Sequence, residues 1–246
     1  MNHSQFLEFR RVAAAVAVAA MAFPSLLTWL YFVALHNQSA AVQQAVYTGG
    51  KILQFGLPLL WLLAVERGLP RATPRATLRL LPSLTASAIF GLLVALAILA
   101  GYHRWFHSAG WLAAGETQIR RKVLAFGLRT PAQFAAVGIF YSVFHSLLEE
   151  YYWRWFVFGR LRRLLPIGRA IFLASLAFAA HHGIVLGNYF GGFSPVTWLL
   201  TFGVALGGAA WCEIYRRSGS LLGPWLSHAM VDAAIFAVGF AMVHHG

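Results

Sequence analysis

Apolar residues run along this chain in blocks of about 20, and basic or turn-forming residues close most of the blocks. The blocks cover 12–35, 51–65, 81–102, 131–158, 170–190, 196–215 and 221–243. At ~1.5 Å of rise per residue, 20 helical residues span ~30 Å, the thickness of a bilayer's hydrocarbon core. The pattern predicts an all-α, polytopic membrane helix bundle of about seven spans. Weak alternation within the blocks argues against a β-barrel. Residues 36–50 read as an uncharged loop with Gly49-Gly50 as a breaker. Residues 66–79 read as a basic loop carrying Arg67, Arg71, Arg75 and Arg79, with Pro70 and Pro74.

Between 103 and 130, Trp105, Phe106, Trp111, Leu112 and Phe126 mingle with Arg120, Arg121, Lys122 and Arg129. Aromatic and basic residues together predict a helix lying in the membrane interface, with an eighth crossing as the other solution. The layout is then 1–130, with three membrane helices and the interfacial segment, and 131–246, a four-helix core. No internal repeat is evident.

Composition agrees with the pattern: 59% of residues are hydrophobic, 11% are charged, and mean hydropathy is +0.66. The net charge of +12 does not point to nucleic acid, because the arginines punctuate span ends rather than form one patch. With the N-terminus in the cytoplasm, twelve of the basic residues fall on the inner side and six on the outer. The expectation is a multi-pass protein of the bacterial inner membrane, with the lipid bilayer as its constant partner. Cys212, the one cysteine, cannot form an internal disulfide and reads as a small core residue.

Charge inside the apolar blocks changes the picture. Glu149, Glu150 and Arg154 interrupt the fourth block, and an ionised group at mid-bilayer costs roughly 2.5–3.5 kcal/mol or more, which makes such residues functional candidates. Glu149 is 11 residues from Arg160, His182 is 13 from Arg169, and His228 is 11 from Arg217. These separations set all three ~16–20 Å from the same face. Asp232 lies one turn beyond His228. Four ionisable groups on three helices thus share one layer. Glu150 and Arg154 are i,i+4 and read as a brace, while Glu149 points ~100° away and suits acid–base work. His228 and Asp232 are also i,i+4, able to grip one oxygen or one metal ion. His145 reads as a helix–helix hydrogen-bonding residue. Of the adjacent His181 and His182, one at most joins Glu149.

Three motifs now stand in order: Glu149-Glu150-Tyr-Tyr-Trp-Arg154 as EExxxR, Phe178-Ala-Ala-His-His182 as FxxxH, and His228-Ala-Met-Val-Asp232 as HxxxN/D. On successive helices at matching depth they resemble the CPBP family of CAAX proteases and bacteriocin-processing enzymes, which includes the type II CAAX prenyl endopeptidase. The resemblance covers about 131–243. It implies an intramembrane endopeptidase in which Glu149 and His182 activate water, while His228 and Asp232 stabilise the oxyanion. The same four residues would hold one divalent metal, zinc first, if the enzyme is metal-dependent; a metal-free glutamate-type mechanism is the other version. Glu150 and Arg154 would support the site. The implied substrate is a membrane-associated protein or peptide, prenylated or otherwise close to the lipid. Two departures stand out: Trp155 follows the motif arginine where the family often has Gly, and the third motif ends in Asp232 rather than Asn.

Two other function classes fit the same residues. One is a non-proteolytic scaffold or bacteriocin-immunity protein with this fold. The other is a proton- or ion-coupled transporter, which would call for paired broken helices in two related halves.

Overall fold

The computed structural model describes residues 3–66 and 80–244. It is all-α, with no strand among the described residues. Seven helices are long and apolar enough to cross a membrane: Leu7–Ala34, Ala40–Glu66, Leu81–Phe106, Pro131–Leu164, Ile167–Phe190, Pro195–Ser218 and Leu222–His244. The chain is a multi-pass integral membrane protein. Large apolar side chains such as Val18, Ile52, Leu93, Phe172 and Phe202 stay exposed on these helices, as lipid-facing positions require. An eighth helix, Ala113–Ala125, lies within the mixed 103–130 segment and is not a spanning helix. Of the basic loop, 67–79 lies outside the described residues.

Two expectations on boundaries change. The second helix begins at Ala40, so most of the stretch read as a loop is helical. Ser39 opens it by accepting a hydrogen bond from the Val42 N–H. Glycine here serves packing rather than breakage: a Cβ on Gly50 would run into the Leu27 side chain. A glycine therefore lets the first and second spans approach closely. The fourth span continues past 158 to Leu164, so Arg160, Arg162 and Arg163 are helical.

The fourth span is unevenly wound. Capped at Thr130 with Pro131 in its first turn, it runs α to Ile139, π over Phe140–His145, α over Ser146–Glu150, π over Tyr151–Phe158, then α to Leu164. Glu149 and Glu150 thus ride on one α turn between two π segments, an irregularity that recurs at functional sites.

The described residues form two compact units, each assembled from separated stretches. The first holds the first two spans with 151–188 and 198–213. There Tyr152, fully buried, donates its hydroxyl to the Ala20 carbonyl at 2.7 Å and ties the fourth span to the first. The second holds 73–150, 189–197 and 214–246. In it Leu222–His244 packs along Leu81–Phe106 and against 131–150. Arg120 of the short helix donates to the Met242 carbonyl at 3.0 Å, a cation against the last turn of the final span.

Candidate active site

In the second unit, small residues bring the third and last spans close together. A Cβ on Gly91 would lie 2.9 Å from the Ser227 Cα, and one on Gly223 would lie 2.7 Å from Ser87 Oγ. Ser87 and Ser227 are fully buried and satisfy their hydroxyls on carbonyls of their own helices, Ser87 on Ser83 at 2.6 Å and Ser227 on Pro224 at 3.0 Å. This contact fixes the rotation of the last span at the residue before His228. From the same helix, Trp225 donates its indole N–H to the Val143 carbonyl, 2.8 Å away in the first π segment of the fourth span. Two neighbouring anchors thereby hold His228 toward 131–150.

His228, 3% exposed, sits among three carboxyl groups. Its Nδ1 is 2.8 Å from Glu150 Oε1. Its Nε2 is 3.8 Å from Glu149 Oε2 and 3.6 Å from Asp232 Oδ1. The two ring nitrogens lie on different edges of the imidazole, so one histidine engages adjacent glutamates that diverge from their own helix. With Nδ1–H donated to Glu150, Nε2 is the nitrogen turned to Glu149 and Asp232. Glu149 is 3% exposed and Glu150 fully buried.

The other predicted site residues lie in the first unit. His182 directs Nδ1 to the Phe178 carbonyl at 2.9 Å. A carbonyl only accepts, so this bond puts a proton on Nδ1. His181 stacks on Trp153, with centroids 5.6 Å apart and planes 2° apart. The Arg154 guanidinium, 1% exposed, lies 4.5 Å above the Phe178 ring and 5.0 Å from that of Trp211. Trp155 stacks on Tyr151 at 5.2 Å.

Residues 131–234 match the family model for type II CAAX prenyl endopeptidase, Rce1-like. This stretch is similar to the Rce1-like family. No curated protein and no solved structure matches the chain. The match agrees with the resemblance read from the three motifs and takes in all three, Glu149 to Arg154, Phe178 to His182 and His228 to Asp232, within the matched segment. Gly91, Ser87, Trp225 and Val143 were not among the predicted site residues. Gly91 and Ser87 lie N-terminal to the matched segment, in an apolar span whose small residues were their only signal.

Proposed function

We propose that the chain is an intramembrane endopeptidase that hydrolyses a peptide bond in a membrane-associated protein or peptide. The observation that carries this reading is the His228 cluster: one buried imidazole held by Glu150 at 2.8 Å, with its other nitrogen turned to Glu149 and Asp232, in a domain whose family model is a prenyl endopeptidase. Glu149 is the general base. It takes a proton from the water whose oxygen attacks the scissile carbonyl, and returns that proton to the departing amine. The family resemblance assigns His182 to the same activation of water. His228 and Asp232 face the oxygen that becomes negative, and one preorganised donor of this kind contributes about 3–4 kcal/mol. Glu150 keeps the imidazole in position.

The donor set also fits a divalent metal. Carboxylate oxygens of Glu149 and Asp232 turned to His228 Nε2 are the donors zinc accepts, and His182 completes the proposed ligands. Such an ion would polarise the carbonyl and make its bound water more acidic. The two versions differ in what His228 Nε2 carries, a proton in one and a lone pair in the other. In both, the arginine-rich span ends face the cytoplasm.

The test is cleavage of a farnesylated CAAX peptide by the purified full chain. Glu149→Gln is expected to lower the rate by roughly 10²–10⁴-fold while the melting curve stays in place. A folded variant that still cleaves at the wild-type rate would sink the assignment. Chelation followed by zinc add-back separates the versions: loss and recovery of activity supports the metal, and unchanged activity supports the glutamate-type mechanism.

A further inference from the structure

A second polar cluster lies in the first unit, formed by residues that have no part in the proposed peptidase chemistry. It is a cleft of about 310 Å³ lined by Phe9, Arg10, Ala13, Glu66, Arg160, Arg163 and Leu164. Its walls come from the start of the first span, the last residue of the second and the end of the fourth. Successive crossings alternate direction, so these three ends belong to one face of the membrane, at the depth of lipid headgroups.

Glu66 organises the cleft. Its Oε1 lies 3.1 Å from Arg160 Nη2 and 3.1 Å from Arg163 Nη1, and it accepts the Trp61 indole N–H at 3.4 Å. One carboxylate oxygen thus holds two guanidinium groups side by side. Arg160 is 5% exposed and braced by the rings of Trp155 and Phe156, at 5.7 Å and 5.2 Å. Arg163, 59% exposed, and the exposed Arg10 line the open side. The lining carries three guanidiniums and one carboxylate, and guanidinium forks match the paired oxygens of a phosphate. Beside the charges, Phe9, Ala13 and Leu164 supply an apolar wall, which a free phosphate would not use and a lipid's glycerol and upper acyl carbons would.

We propose that this cleft binds the phosphodiester of an anionic phospholipid headgroup. Arg160 and Arg163, aligned by Glu66, receive the phosphate oxygens, and Arg10 closes over them. Local lipid composition then sets the stability of the arrangement of the first, second and fourth spans. The site is independent of the peptidase reading, and its test does not use cleavage.

The test is thermal melting of the full chain in a neutral detergent, titrated separately with phosphatidylglycerol, phosphatidylcholine, glycerophosphoglycerol and inorganic phosphate. Phosphatidylglycerol is expected to raise the midpoint in a saturable way and phosphatidylcholine to leave it unmoved. The double variant Arg10→Gln/Arg163→Gln changes two exposed side chains and spares the buried Arg160. It should need roughly 10- to 30-fold more phosphatidylglycerol for the same shift. Arg162→Gln, whose guanidinium lies 5.9 Å from the Phe158 ring and outside the lining, should behave as wild type. Equal shifts with the zwitterionic lipid, or a double variant that responds as wild type, would overturn the proposal. Inorganic phosphate or glycerophosphoglycerol matching the full lipid would overturn its lipid part and leave a soluble phosphate as the ligand.

Discussion

Replacing Glu150 with Gln probes the site through a group that touches His228 rather than the reacting atoms. The Glu150 carboxylate accepts from Nδ1 at 2.8 Å, with the glutamate fully buried and the histidine 3% exposed. Solvent therefore screens little of the interaction. A hydrogen bond to a charged acceptor contributes about 1.5–3 kcal/mol and a neutral one about 0.5–1.5 kcal/mol. Gln keeps an acceptor oxygen and loses the charge, so the expected loss is about 1–2 kcal/mol. If the imidazole's position limits the chemical step, that is roughly 5- to 30-fold in kcat, with KM unchanged because no substrate contact is removed. Glu150→Ala removes the acceptor and opens a cavity, so it should lower both kcat and the melting temperature further than Gln does. The assay is steady-state cleavage of the farnesylated peptide beside a melting curve in the same detergent. A Gln variant with wild-type kcat, or one altered only in KM, would refute the positioning role.

Other perturbations report on the frame. Gly91→Val places a Cβ 2.9 Å from the Ser227 backbone, so the third and last spans must part; the expected cost is about 1–3 kcal/mol, read as a lower melting temperature together with lost cleavage. Gly56→Ala, where a Cβ meets nothing within 4 Å, is the matched control and should melt with the wild type. Arg154→Lys keeps the charge and loses the planar face that lies over Phe178 and Trp211. It should destabilise the protein by about 1–2 kcal/mol; a variant that melts with the wild type would show that the charge alone suffices there.

Much of this architecture was readable in one dimension. A membrane-spanning segment must satisfy its backbone internally and present apolar side chains to lipid, so hydropathy and length alone mark it. Most of the spans were predicted close to their observed extents, the fourth running on to Leu164. The second was not, because Gly49-Gly50 reads as a breaker by local propensity, and only the Leu27 side chain against Gly50 reveals a packing role. The π segments around Glu149 and Glu150 were also invisible to the pattern. They change winding, not hydrophobicity.

For the site, the sequence by itself determined which ionisable residues lie deep in the membrane and at what depth, since the burial cost of charge makes each an exception in an apolar run. It could not determine which of them meet. Spacing along a single helix relates Glu149, Glu150 and Arg154 to one another and to no residue of another span. The tertiary structure decided that Glu150 accepts a hydrogen bond from His228 Nδ1–H, across 78 positions of sequence, while the other ring nitrogen turns to Glu149 and Asp232. It likewise decided that Glu66 gathers Arg160 and Arg163 from nearly a hundred residues away. Periodicity reports where a side chain points on its own helix; the rotation and register of the neighbour depend on close contacts such as Gly91 against Ser227, which exist only when the helices pack.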